Sequence, residues 1–194
     1  MTIIRRNLKF TVFTFLVIFV TVYILFSGFR AWPIYSHITK GERGWAGDVF
    51  TYDTRLGYRL KNNGSGFELF PDGEKVPIYL DEEGHRISQK SKNEERKKDE
   101  FDILYLGDSF TFGTGVENKK SFVSIVQKRL GFSSINAAVP GYGPAQMVIR
   151  AKSIIRKYKP KYVVVQYSPW LAIRSMRPLK RYPPYVIPVP YYSS

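Results

Sequence analysis

The sequence predicts a mixed α/β protein in which a parallel sheet follows an apolar N-terminal helix and a small β-rich region. Residues 101–170 alternate apolar, strand-like runs with segments of helical periodicity. Residues 10–29 carry no charged side chain, and turn signals interrupt the region between these two parts. The predicted organisation is an N-terminal stub and helix at 1–30, a connector at 31–100 and an α/β domain at 101–194.

The apolar run FTVFTFLVIFVTVYILFSGF predicts a transmembrane helix over residues 10–29. Residues in a helix rise about 1.5 Å each, so a run of this length matches the hydrocarbon core of a bilayer, about 30 Å thick. Arg5, Arg6 and Lys9 precede the run, which favours an N-terminus inside the cell and a C-terminal domain outside the cytoplasm. The sequence therefore predicts a single-pass protein of the cell membrane.

A cleaved signal peptide is the alternative to a retained anchor. Signal peptides have an apolar core of about 7 to 15 residues, with small residues just before the cleavage site. Here the core is longer, and Leu25 or Phe26 stands where a small residue is needed. We favour the retained anchor, and the sequence leaves cleavage open.

The connector, residues 31–100, contains several turn signals, among them Asn63-Gly64. The segments Gly66–Phe70 and Val76–Leu80 lie between such turns and predict strands of a small β region. The charged run at residues 88–100 has no apolar periodicity and predicts an exposed linker.

The α/β domain contains three predicted strands, Ile103–Leu106, Ser134–Val139 and Tyr162–Tyr167. Helical periodicity from Phe122 to Leu130 and from Met147 to Tyr158 separates them. A β-α-β-α-β order with right-handed crossovers gives a parallel sheet with helices on its faces. The near-continuous apolar character of the third run predicts a strand that is covered on both faces.

Polar or glycine-rich segments follow each of the three strands. They are Gly107-Asp108-Ser109, Gly141-Tyr142-Gly143 and Ser168-Pro169-Trp170. Open parallel sheets bind ligands beyond the carboxyl ends of their strands, so these segments are expected to meet at one edge. The abrupt change from apolar strand to acid and hydroxyl at residues 107–109 is typical of a reactive loop.

Composition and charge narrow the function classes. The chain has no cysteine and two histidines, so disulfides, thiolate metal sites and histidine-rich metal sites are not expected, and no cofactor is predicted. Glu117 is the last acidic residue, and every charged residue after it is basic. A nucleic-acid or anionic-lipid surface is one interpretation, but solvated helix faces are the simpler one. A nucleic-acid partner is therefore not expected.

The two stretches ILYLGDSFTFGTGVENKKSF and INAAVPGYGPAQ together resemble the SGNH, or GDSL, hydrolase superfamily. The similarity is greatest to its membrane-anchored bacterial members and extends to Leu56–Asn62 and to the turn Glu83–Arg86. The resemblance implies a flavodoxin-like three-layer α/β/α fold with the first strand central. It also implies a periplasmic serine esterase or O-acyl transfer protein that acts on acyl esters, often those of envelope glycans.

The resemblance also implies roles for individual residues. Ser109 matches the nucleophile, and its backbone N–H and that of Gly141 match the oxyanion donors. Asp108 would support the loop, while Asn136 and Gly143 would lie at the pocket. Trp170 stands where the family has an asparagine. Its indole N–H could replace that donor, but packing against the strand ends is the favoured interpretation.

The base that the family supplies is missing from this sequence. The family has a C-terminal Asp-x-x-His pair, whereas no acid follows Glu117 and no histidine follows His85, which is expected to be a turn residue. Only three strands precede a proline-rich, extended or disordered tail. The sequence thus predicts an incomplete domain, inactive as given, with further strand–helix units and an Asp-x-x-His pair encoded beyond Ser194.

A second hypothesis is a degenerate member of the superfamily that binds an envelope glycan or a partner protein without catalysis. A third is a binder of nucleic acid or anionic lipid through the basic second half of the chain. The substrate, and the choice between hydrolysis and acyl transfer, stay open.

Overall fold

The computed structural model describes residues 14–24, 44–88, 101–182 and 185–192. Helix α1 covers residues 14–24. Within the described ranges, no helix is both long enough and apolar enough to cross a membrane. The predicted anchor at 10–29 lies partly outside these ranges, and the predicted charged linker lies almost entirely outside them.

Four antiparallel strands form the first sheet, in the order β1-β2-β3-β4. They are β1 (Gly44–Asp53), β2 (Gly57–Leu69), β3 (Lys75–Leu80) and β4 (Arg86–Ile87). The two strands predicted in this region form parts of β2 and β3, whereas β1 was not predicted. The sheet is therefore larger than the sequence suggested.

Three parallel strands form the second sheet, in the order β6-β5-β7. They are β5 (Ile103–Leu106), β6 (Ser134–Asn136) and β7 (Tyr162–Val165). The predicted parallel pairing and the β-α-β-α-β order are confirmed. The helices of this part are α2 (Ser109–Phe112), α3 (Phe122–Leu130), α4 (Pro144–Tyr158) and α5 (Pro169–Arg174).

Helices α3 and α4 pack on opposite faces of the central strand β5. Side chains alternate between the two faces of a strand. Leu104 accordingly joins Ala151 and Ile154 of α4 in one apolar cluster, while Ile103 joins Val123 of α3 in another. The chain is thus a mixed α/β protein with helices on both sides of its parallel sheet.

The first sheet shares one hydrophobic cluster with the segments and helices that follow the strands of the second sheet. The buried members of this cluster come from β1–β3, from the segments after β5 and β6, and from α4, α5 and the C-terminal segment. They are Val49, Leu56, Tyr58, Leu60, Ile78, Leu80, Phe112, Ala138, Val139, Tyr142, Met147, Leu171 and Val189. The β-rich region therefore packs as an integral part of the α/β domain.

Strand β7 corrects one expectation. The sequence predicted that both of its faces would be covered, but all four residues are exposed, with relative accessibilities of 59, 42, 41 and 56% from Tyr162 to Val165. The strand is at the edge of the sheet, and β5 is its only partner among the described strands. A continuous apolar run indicates that both faces of a strand can be buried. It does not indicate whether other elements of the chain cover them.

The C-terminal segment corrects a second expectation from the sequence. The sequence predicted an extended or disordered tail, whereas β8 (Leu179–Tyr182) and β9 (Tyr185–Pro188) pair as antiparallel strands. Pro178 directly precedes β8, and Pro188 is the last residue of β9, where it pairs with Leu179 at the end of the ladder and proline is tolerated. The β8–β9 pair packs tightly on the start of β2, because a Cβ at Gly57 would lie 2.3 Å from the carbonyl oxygen of Pro188.

Candidate active site around Ser109

Ser109 is the first residue of α2, directly beyond the carboxyl end of the central strand β5. Gly107 makes the sharp turn between strand and helix possible. A Cβ at Gly107 would lie 2.2 Å from Thr111 Oγ1 and 2.7 Å from Gln166 Oε1, so no larger residue fits there. Ser109 is half-buried.

Asp108 is fully buried and caps α2. Its Oδ1 accepts a hydrogen bond from the backbone N–H of Phe110 at 3.0 Å. Its Oδ2 pairs with Arg174 Nη1 at 2.7 Å. Because both carboxylate oxygens have donors within the protein, Asp108 holds the loop and the end of α5 together.

Gln166 also holds the loop, a role that the sequence analysis missed. It follows β7, and its Oε1 accepts from the backbone N–H groups of Asp108 and Thr111, both at 3.2 Å, and from Thr111 Oγ1 at 2.8 Å. The signal was present in the sequence, since Gln166 is the first polar residue after the apolar run of the third strand.

Asn136 is buried, and its place at a pocket stays a prediction. Its Nδ2 donates to the carbonyl of Thr111 at 3.0 Å and approaches that of Phe112 at 3.4 Å, while its Oδ1 accepts from Ala138 N. The side chain ties the end of β6 to the end of α2. Its hydrogen-bonding groups therefore face the interior of the protein.

Neither the backbone N–H of Ser109 nor that of Gly141 donates to a described residue. They belong to the segments that follow the neighbouring strands β5 and β6. Gly141 has a φ of 82°, in the left-handed region that favours glycine. Both N–H groups therefore lie in segments at the same edge of the sheet as the Ser109 side chain.

Gly143 does not offer a third donor. Its N–H already donates to Gln146 Oε1 at 3.1 Å. A Cβ at Gly143 would lie 2.6 Å from Ser175 Oγ, so this glycine allows the close packing of α4 against the segment after α5.

Trp170 lies near the start of α5, and its packing against the strand ends stays a prediction. Leu171 takes the fully buried position in α5, and Trp170 is 48% exposed. Its ring centroid is 6.2 Å from that of Phe110, which is 68% exposed and follows Ser109 directly. The two rings form an exposed aromatic pair beside the serine.

The first sheet supports the loop after α2 through two buried charged residues that the sequence analysis missed. Arg86 donates to the carbonyls of Phe112, Gly113 and Val116. Glu68 accepts from the backbone N–H of Gly115 at 2.7 Å. Burial lowers the pKa of Arg86 to about 10, and the negative charge of Glu68 opposes this shift.

His85 is buried in the turn between β3 and β4. Its Nδ1 lies 3.2 Å from Asp81 Oδ2, and its backbone N–H donates to Asp81 Oδ1. Asp81 and His85 join the two sides of the turn, because Asp81 also accepts a hydrogen bond from the backbone N–H of Glu83. These contacts give His85 a structural role in the turn.

The described residues contain no group of three or more His, Asp or Glu side chains that could hold a metal ion. Comparison with known proteins found no matching family model, no similar curated protein and no similar solved structure.

Proposed function

We propose that this chain is a serine esterase or O-acyl transfer protein of the SGNH, or GDSL, type with a flavodoxin-like domain. Its substrate class would be acyl esters, including those of envelope glycans. The observation that carries the proposal is that Ser109 is half-buried at the carboxyl edge of the parallel sheet, where neither its own N–H nor that of Gly141 donates to a described residue. Such donors stabilise the oxyanion of a tetrahedral intermediate, by about 3 kcal/mol each in known enzymes.

The roles in this proposal follow from the contacts. Ser109 Oγ would attack the acyl carbon, and the carbonyl oxygen would turn towards the two N–H donors. Asp108 would position the loop through Phe110 and Arg174 rather than transfer protons. We assign no proton acceptor for Ser109, and we therefore expect residues 1–194 to cleave short acyl esters no faster than a Ser109→Ala variant.

Equilibrium binding of an arylboronic acid tests the proposal without requiring turnover. Boron accepts the serine oxygen and becomes a tetrahedral anion that resembles the acyl-transfer intermediate, with release of one proton. We expect Ser109→Ala to weaken binding at least about tenfold, because the covalent adduct is lost. Binding is to be measured by calorimetry on the full chain.

A Ser153→Ala variant is the matched control, because Ser153 is exposed on α4 and its hydroxyl donates to the carbonyl of Arg150 within the same helix. It should bind the boronic acid as the parent chain does. Equal affinity in the Ser109→Ala variant would argue against the nucleophile and favour the alternative, a non-catalytic binder of an envelope glycan or partner protein. The exposed pair Phe110–Trp170 favours that alternative as a stacking surface.

We further propose that residues 10–29 anchor the protein in the inner membrane, with the α/β domain in the periplasm. The support is the uncharged run and the basic residues before it. Protease added to intact spheroplasts is expected to digest the part of the chain after residue 31. Complete protection of that part, with digestion after lysis as the control, would contradict this topology.

A further inference from the structure

Lys180, in strand β8, reaches the glycine loop between β6 and α4. Its Nζ donates to the carbonyl oxygen of Gly141 and, at 3.0 Å, to the hydroxyl of Tyr58. That hydroxyl donates in turn to the carbonyl oxygen of Pro140 at 3.0 Å. Two consecutive carbonyl groups of the loop are thus held by a lysine and a tyrosine that contact each other.

These contacts fix the direction of the Gly141 N–H. The N–H of Gly141 and the carbonyl of Pro140 belong to the same planar peptide group and point in opposite directions. A hydrogen bond to the Pro140 carbonyl therefore orients the Gly141 N–H on the far side. The hydrogen bond from Lys180 to the Gly141 carbonyl fixes the peptide group between Gly141 and Tyr142. The peptide groups before and after Gly141 are therefore both held, and with them its left-handed conformation.

We propose that Lys180 is a positioning residue that, together with Tyr58, orients the Gly141 N–H for a bound oxyanion. The inference rests on the proposed function only for the donor role of that N–H. The hydrogen bonds that define the contact do not depend on it.

The charge of Lys180 makes this contact sensitive to pH. Burial and, to a smaller extent, the positive charge of Arg174 lower the pKa of Lys180, while Asp108 opposes them, and the net value is about 7. These two charged groups act on Lys180 from α5 and from the segment after β5, while Tyr58 contacts it from β2. As pH rises through about 7 the ammonium loses its proton, and its bonds to Gly141 and Tyr58 lose their charge assistance.

The direct test follows the backbone amide of Gly141 by NMR in the isotope-labelled full chain. Its chemical shift is expected to titrate with a midpoint near 7. The titration should vanish in Lys180→Met, which has no charge to lose, and in Lys180→Arg, which keeps its charge throughout this range. Lys128→Met is the control, since Lys128 is exposed on α3, and it should leave the titration unchanged.

A second measurement links the contact to the oxyanion. At a pH below 7, Lys180→Met is expected to weaken arylboronic acid binding about tenfold, while Lys180→Arg weakens it less, because a charge-assisted donor remains. A Gly141 titration that persists in Lys180→Met would overturn the inference, whether or not Ser109 binds the boronic acid. Boronic acid binding that does not depend on Ser109 would overturn the proposed function and leave the Gly141 titration as the test of Lys180.

Discussion

Two side-chain amides hold the short helix that begins at Ser109. Gln166 accepts from the N–H groups of Asp108 and Thr111, and Asn136 donates to the carbonyl of Thr111. They extend from the ends of the two strands that flank β5. The position of the serine is therefore set from both neighbouring strands by residues that have no part in the proposed chemistry.

Replacement of Gln166 by alanine is expected to lower the free energy of unfolding by about 1–3 kcal/mol. The reason is that its Oε1 accepts from two backbone N–H groups and from Thr111 Oγ1, which would lose this acceptor in a partly buried site. Urea unfolding at equilibrium provides the measurement. The same variant should also weaken boronic acid binding, because the loop before Ser109 would be less firmly held.

The matched control is Gln127→Ala, which removes a glutamine whose Oε1 accepts an exposed hydrogen bond from Ser134 Oγ. We expect it to change the free energy of unfolding by no more than about 0.5 kcal/mol. If both variants behave alike, the contacts of Gln166 do not stabilise the loop.

Residue identity at the strand ends was predictable, but side-chain direction was not. The spacing of apolar runs located Asp108, Ser109 and Gly141 at the carboxyl edge of the sheet. It could not show that Asn136 faces the interior while Trp170 faces solvent, because this depends on how β6 and α5 pack. A motif therefore indicates which loop matters, and packing decides which atoms are accessible.

Elements with strong local signals agree with their predicted bounds. Strand β5 has the predicted residues, and α3 ends at Leu130 before Gly131, which adopts the left-handed conformation. Helix α4 starts at Pro144, three residues before the predicted start, because proline is favoured in the first turn, where its missing N–H costs no hydrogen bond. Strong periodicity and helix-stop residues account for this success.

Elements that depend on distant pairing were missed. Strand β1 has little apolar alternation and pairs with β2 in a register interrupted between Asp48 and Phe50. The β8–β9 pair comes from a proline-rich segment, and it is stabilised by packing on β2 rather than by local propensity. Such strands form because a partner is present, which a single sequence does not display.

The contacts of the first sheet with the loop after α2 are also long-range. Glu68 and Gly115 are 47 residues apart, and Arg86 reaches Val116 across 30 residues. A buried charged residue is costly unless its partners are well placed, so these residues are expected to fix the loop firmly. The β-rich region thus contributes directly to the candidate site.

At the scale of the whole molecule, the uneven distribution of charge is partly balanced by folding. Basic residues that follow Glu117 pair with acids that precede it, as in Lys157 with Glu83 and Lys161 with Asp102. Arg174 pairs in the same way with Asp108. These pairs agree with the simpler interpretation of the basic half and give no support to a nucleic-acid surface.

The exposed edge strand β7 leads to the last prediction. Strands of parallel sheets are usually covered on both faces, and an uncovered apolar edge promotes pairing with other chains. Because Val165 is 56% exposed, Val165→Lys is expected to change the free energy of unfolding by only about 0.5 kcal/mol. Leu104→Ala in the central strand should lower it by about 2–5 kcal/mol, because it leaves a cavity in the core.

Val165→Lys is also expected to reduce self-association, measured by light scattering over a range of protein concentrations in one buffer and detergent. Leu130→Lys is the control, since Leu130 is equally apolar and 59% exposed but lies on α3, away from the sheet edge. If Val165→Lys destabilises the fold as strongly as Leu104→Ala does, β7 must be covered in the folded protein. Its apolar residues would then belong to an interface, and its free edge would be the place where a further strand pairs.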